Sequence, residues 1–268
     1  MLKTVLHAVH GNLPLLPVGG TRSKKIGLPL SNYVTPSQLL FPPVYALERP
    51  INWGMLGNGP DTYKGQPFQG VGNCYECYAL HQIKEWYAVA HAGDMASVDF
   101  TTDQAVDLYS AITGYQFGND ATDNGTDPDS LFNYWQNKGI YGHKIRGKVT
   151  IDIGNLDLIK WAIFTFSGAN FNLSVPNYLM QVQNGGSWSL TSGADTTIEG
   201  EHATGLVGYG RAGLRTNCWN TTYTFNPDFL AQFGVQVNAV VSEDMIKASG
   251  KSISGLDLDG LLADLAAV

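Results

Sequence analysis

Along the chain, apolar residues keep a helical rhythm in the first half and an alternating one in the second, with the change near residue 145. Tyr78, Leu80, Ile83, Trp86, Tyr87 and Ala90 recur at helical spacing and predict a largely buried helix beginning near Cys74. Thr101-Thr102-Asp103-Gln104 has the form of a capping start, followed by Ala105, Val106, Leu108, Tyr109 and Ile112 and ended by Gly114. A polar loop fills Gly118 to Asp129, and Ser130 to Trp135 then open a third, shorter helix that ends near Lys138-Gly139. Further on, Lys148 to Asp152, Leu173 to Val175, Ala203 to Tyr209 and Gln236 to Val241 read as strands, with one helix over Leu156 to Phe166.

Before the first helix the pattern is different again. Pro14, Pro17, Pro29, Pro36, Pro42, Pro43 and Pro50, with Gly19 and Gly20 among them, punctuate residues 1–50 and favour an extended arm or prosegment over an independent domain. Three stretches are therefore expected: the arm at 1–50, a helical subdomain at 51–145 and a β-rich subdomain at 146–268. A helical half followed by a sheet half implies an α+β fold with a cleft between the two, a common place for a site. Leu256, Leu258, Leu261, Leu262 and Leu265, interleaved with Asp257, Asp259 and Asp264, form a short amphipathic helix at the end.

Composition narrows the class. A chain of 268 residues, 44% hydrophobic and 15% charged, can bury a substantial core. Its net charge of -7 leaves no surplus of Lys and Arg to neutralise phosphates, so nucleic acid is not an expected partner. No uninterrupted run of about eighteen apolar residues is present to span a bilayer. The opening MLKTVLHAVHGNLPLLPVGG breaks its apolar stretch at His7, His10, Gly11 and Pro14 and offers no small-residue cleavage site, so no signal peptide is expected. A cytoplasmic or virion-associated location fits.

The three cysteines, Cys74, Cys77 and Cys218, cannot all pair, so at least one thiol is free. A cysteine acts in catalysis as thiolate, and a helix N-terminus beside an imidazolium lowers its pKa. Cys74 meets the first condition, with Gly72 allowing a tight approach and Asn73 placed to cap. His202 lies in Glu201-His202-Ala203 directly before the apolar run Leu206 to Gly210, where a rigid element can aim its ring. Asn217, a short hairpin later, can hold that ring in the orientation proton transfer requires.

The order Gly72-Asn73-Cys74, then Glu201-His202-Ala203 before Val207-Gly208-Tyr209-Gly210, then Asn217-Cys218-Trp219 resembles the papain-like cysteine peptidases, whose triad is Cys, His and Asn in that order. The resemblance spans roughly residues 50–245. In finer detail, Cys74 followed by His81 and Trp86, and Thr113-Gly114-Tyr115, are similar to papain-like proteins of bacteriophage and bacterial genomes. The resemblance implies Cys74 as nucleophile, His202 as base and Asn217 as orienting amide. Asp123-Asn124-Gly125 is similar to the stretch lining the family's substrate cleft, so Gly125 would offer backbone hydrogen bonds to a peptide. Trp219 would cover the Asn217–His202 pair on the substrate side. Gln69 is the candidate for the amide at the developing oxyanion, although its spacing to Cys74 and to Cys77 departs from the family's.

Other readings stand beside these. The family signature carries a disulfide cysteine shortly before the nucleophile, so Cys77 can be the nucleophile and Cys74 structural; that disulfide's partner would fall at Asp123. No metal or cofactor is implied: Cys74, Cys77 and His81 lack a second ligand pair for zinc, and Asp120, Asp123, Asp127 and Asp129 lack calcium-loop spacing. The expected activity is a thiol hydrolase acting on a polypeptide at peptide or isopeptide bonds. The alternatives are a structural or decorating protein of a virion or other assembly, meeting neighbouring subunits through residues 1–50, and an amidase or transglutaminase-like acyltransferase on the same triad.

Overall fold

The computed structural model describes residues 28–34, 40–46, 54–90, 98–182, 186–244 and 257–267, with the backbone of two short paired strands, β1 (Leu6–Ala8) and β2 (Gly11–Leu13). The first helix, α1 (Cys74–Ala90), is buried at every residue from Cys74 to Trp86. Even its polar residues Glu76, His81, Gln82, Lys84 and Glu85 are buried. Their satisfaction ties α1 to its neighbours: Gln82 Nε2 donates to the Ser167 carbonyl at 2.8 Å, Trp86 Nε1 to that of Phe166 at 3.0 Å, and Lys84 pairs with Asp99 at 2.8 Å.

Two further helices pack on α1. In α2 (Thr102–Thr113), Thr101 accepts the Gln104 N–H and the Gln104 side chain accepts the Thr101 N–H, while Gly114 closes the other end in the left-handed region at φ 79°. In α3 (Pro128–Asn137), Asp127 caps Ser130 N–H and Pro128 occupies the first turn, where its missing N–H costs nothing. Tyr75, Tyr78, Trp86, Leu108, Leu131, Phe132 and Trp135 form their common core. Ile145, Ala203 and Val240 belong to the same cluster, so the helical half and the sheet share a core.

A hairpin absent from the sequence expectation precedes α1. Strands β5 (Asp61–Tyr63) and β6 (Gln66–Phe68) meet at Lys64-Gly65, both with positive φ, the pattern of a two-residue hairpin turn. Val71 N–H bonds the Gly57 carbonyl at 2.9 Å and closes its base, and Tyr63 and Phe68 pack with Val106, Tyr109 and Tyr115.

Among the described residues the sheet has nine strands. These are β3 (Leu28–Pro29), β4 (Tyr45–Ala46), β7 (Ile145–Ile151), β8 (Ala169–Pro176), β9 (Ser187–Trp188), β10 (Ile198–Gly210), β11 (Gly213–Cys218), β12 (Thr221–Phe225) and β13 (Gly234–Ser242), in the order β3-β7-β13-β8-β10-β11-β12-β9 with β4 beside β10. All neighbours are antiparallel except β3 with β7 and β12 with β9. Helices α4 (Leu156–Phe166), α5 (Pro227–Phe233) and α6 (Leu258–Ala266) contribute to a second core rich in aromatics, where Trp188 stacks on Tyr223 at 4.9 Å and Phe171 on Phe225 at 5.1 Å.

The described parts of residues 1–50 do not run free of this body. β3 pairs with β7, β4 with β10, and Tyr209 donates its hydroxyl to the Pro42 carbonyl at 2.9 Å. Tyr33 donates to Asp264 at 2.7 Å and accepts the Asp257 N–H at 3.0 Å, so the start of the chain holds α6. Leu258, Leu261 and Leu265 of α6 are buried on their own chain. The rest of the expected arm lies outside the described residues.

Candidate active site

The N-terminus of α1 meets β10 and β11 at a narrow cleft enclosing about 350 Å³ of empty space, its open mouth included. Cys74, Cys77, Tyr78 and His81 reach it from α1, His202 to Gly205 from β10, and Asn217 to Asn220 from the end of β11. Gly54, Met55 and Asn58 close the side nearest the approach to α1.

Each side chain is placed by local rules. The Asn73 carbonyl accepts the Cys77 N–H at 3.0 Å and so begins the helix, while Asn73 Nδ2 ties the turn to the Leu56 carbonyl at 2.9 Å. Cys74 is therefore the first residue of α1, 2% exposed, at the end where the helix dipole favours a thiolate. Cys77, one turn further in, donates its Sγ hydrogen toward the Met55 and Leu56 carbonyls, both at 3.4 Å. Burial pushes the Cys77 thiol well up, with the nearby Cys74 and Glu76 adding to the effect, and burial does the same to Cys218. Both therefore remain protonated at neutral pH.

His202 pairs with Leu173 of β8 in the sheet, and its ring stacks on Trp219 with centroids 4.7 Å apart at 26°. Burial pushes its imidazole down to about 3, so the ring is neutral at pH 7. His81, deeper on α1, is likewise pushed down to about 3 by burial and then by the Lys84 charge. Asn217 faces Gly205 across the β10–β11 ladder, and its Oδ1 accepts the Gly205 N–H at 3.0 Å. His202 Nδ1 and Asn217 Nδ2 are both buried without a hydrogen-bond partner. The cleft thus gathers Cys74, His202 and Asn217, but Asn217 is anchored to the β10 backbone and forms no hydrogen bond to the imidazole.

Two expected residues fall elsewhere. Gln69 is exposed at the foot of the β5–β6 hairpin and is no part of the cleft wall. Asn58, on the other side of the hairpin base, is a side-chain amide in the wall there: it is 4% exposed and donates Nδ2 to the Val71 carbonyl at 3.2 Å. The three-residue strands of this hairpin carry no periodic signal in the sequence that would have marked Asn58. Gly125, at φ 74°, also lies outside the wall, and its N–H is already donated to the Tyr109 hydroxyl at 2.9 Å. Trp219 is in the wall, stacked on His202.

The acidic loop is used structurally. Asp127 caps α3, Asp129 pairs with Lys148 at 2.5 Å, and Asp123 accepts the Gly72 N–H at 3.0 Å. Among the described residues no group of three or more His, Cys, Asp or Glu is arranged to hold a metal ion, and no helix is long and apolar enough to cross a membrane.

No protein-family model and no curated protein sequence matches the chain. Solved structures do. Procathepsin B S9 from Trypanosoma congolense superposes with a TM-score of 0.54 at 15% identity, covering 86% of this chain and 87% of that one. Procathepsin L2 from the larval midgut of Tenebrio molitor gives 0.52 at 12% identity, covering 85% and 77%. Xylellain, a cysteine protease from Xylella fastidiosa, gives 0.48 at 15%, covering 84% and 99%. At these identities the likeness concerns the fold, and the fold is papain-like α+β.

Proposed function

We propose that this papain-fold chain is a cysteine hydrolase that cleaves peptide or isopeptide bonds, with Cys74 as nucleophile, His202 as base and Asn217 as the amide beside it. The observation that carries the reading is the meeting of these three residues, drawn from α1, β10 and β11, in one cleft. The neutral imidazole of His202 takes the thiol proton as sulfur attacks the carbonyl, then returns it to the leaving amine; water hydrolyses the acyl-enzyme. The face of Trp219 stacked on the ring favours the transient imidazolium. Asn217 Oδ1 keeps a second lone pair for a ring N–H while its first holds Gly205. Asn58, rather than Gln69, is the amide available to the developing oxyanion, a contribution typically worth about 3–4 kcal/mol. Cys77 and Cys218 are walls, held as thiols by burial.

Iodoacetamide labelling at pH 7 with peptide mapping tests this. Cys74 is expected to react selectively, and His202→Ala to slow both labelling and peptide turnover by on the order of 10²-fold or more. Equal labelling of the two proteins refutes the reading. An amine acceptor added to the turnover assay separates hydrolysis from acyl transfer by its product.

One observation favours a second reading, a papain-fold scaffold without turnover: His202 Nδ1 is buried with no hydrogen-bond partner, whereas a working triad engages its imidazole at both ring nitrogens. A Cys74 inert to iodoacetamide in the folded protein supports it.

A further inference from the structure

Asp123 belongs to neither α1 nor β10, yet its carboxylate reaches the turn that delivers Cys74. Its Oδ1 accepts the Gly72 N–H at 3.0 Å and the Tyr109 hydroxyl hydrogen at 2.8 Å. Tyr109 is fully buried on α2, and its oxygen accepts the Gly125 N–H at 2.9 Å, closing the loop onto the helix. Next along the loop, the Thr126 hydroxyl donates to Glu76 Oε1 at 2.7 Å, and both residues are buried. The loop between α2 and α3 is therefore stitched to the chain on either side of Cys74, at Gly72 before it and at Glu76 after it.

We infer that Asp123 is a positioning residue for the nucleophile, with Thr126 as its counterpart on the helix side; this rests on the reading of Cys74 as nucleophile. Val71 and Asn73 are tied on either side, but Gly72 has no side chain to fix its own place, and Asp123 is the partner of its N–H. Displacing a reacting atom by about 1 Å can cost on the order of 10²-fold in rate. The Asp123 bond to Gly72 restrains the turn against such a shift.

The test compares wild type with Asp123→Ala, Asp123→Asn, Thr126→Val and Tyr109→Phe, and with Asn124→Ala as a same-loop control, since Asn124 is exposed and bonds only within the loop. The readouts are the rate of Cys74 alkylation, kcat and KM separately, amide hydrogen exchange at Gly72, and the thermal midpoint. Asp123→Ala is expected to slow alkylation and lower kcat about tenfold with KM little changed, and to speed exchange at Gly72. Asp123→Asn keeps an acceptor oxygen and should recover most of the loss, while Thr126→Val gives a smaller change in the same direction. Unchanged alkylation in Asp123→Ala overturns the inference. So does an Asn variant as impaired as the Ala variant, or an effect no larger than that of Asn124→Ala. Should Asp123→Ala not fold, Tyr109→Phe, which removes one partner of the same carboxylate, carries the comparison. If wild type and His202→Ala alkylate alike, it is the nucleophile reading that fails, and unchanged exchange at Gly72 in Asp123→Ala then overturns the role of Asp123 separately.

Discussion

A methyl group at Gly205 would sit 2.6 Å from Asn217 Oδ1, inside any normal contact, so the strand needs glycine at the point where the amide is anchored. Gly205→Ala must push Asn217 off the Gly205 N–H. It is expected to cost about 1–3 kcal/mol of stability by overpacking and to lower turnover with it, measured by urea midpoint and peptide assay. Gly210→Ala on the same strand, whose new carbon would meet only Val44 Cγ1 at 3.6 Å, should stay within about 0.5 kcal/mol of wild type. Cys74, His202 and Asn217 were legible as residues because each sits in a local context with a physical meaning: a helix start, a strand and a hairpin. Gln69, whose spacing already departed from the family's, lies exposed outside the wall, because distance along the chain does not fix which side of the β5–β6 hairpin base a side chain takes. The tie of Asn217 to Gly205 was equally hidden, since a lone asparagine within a strand has many acceptors and donors open to it.

Among the elements, α2 was the most readable because its signals are local. The Thr101–Gln104 capping box and the left-handed Gly114 appear as the sequence predicted them. Thr101→Ala leaves the Gln104 N–H without its acceptor and should cost about 1 kcal/mol, checked by chemical denaturation. Helix α4 and the long strands were legible for the same reason: periodic burial writes a pattern over many residues. The β5–β6 hairpin and the two-residue strands β3 and β4 were not, because two or three residues carry no period. Their pairing depends on partners far along the chain, Val149 for Leu28 and Tyr209 for Tyr45. A backbone edge offers its hydrogen bonds whatever the side chains, so such short pairings leave little trace in composition.

For the molecule as a whole, the central feature is a set of buried titratable groups, Glu76, His81 and Glu85 on α1 and His202 on β10. His81 and His202 are pushed down to about 3 from an ordinary 6.5. Between those values the unfolded chain binds protons that the folded one refuses, so stability falls as pH falls. Glu76 is pushed up to about 7 and Glu85 well above the usual 4.5, burial being the first cause for both. Above 4.5 the unfolded carboxyls release protons that the folded ones keep, so stability falls as pH rises. From 4.5 to 6.5 the two histidines and two glutamates oppose each other. These four groups therefore predict a broad maximum in that window, with losses on both sides, read as the thermal midpoint against pH. Glu76→Gln should flatten the alkaline side. A midpoint that climbs steadily from pH 6.5 to 8 would refute the buried neutral carboxyls.

What the amino-acid order determined by itself was the class of the chain. Helical and alternating rhythms set an α+β fold, and three short contexts named a thiol, an imidazole and an amide, because local hydrogen bonding and side-chain burial act over a few residues. Only the tertiary structure decided which amide faces the cleft, Asn58 and not Gln69, that Asn217 is tied to Gly205, and that Asp123 and Thr126 grip the chain on both sides of Cys74. Those outcomes depend on distances between residues remote in sequence. Such distances are fixed when close packing and the pairing of buried polar groups are satisfied everywhere at once, a condition that no short stretch of chain records.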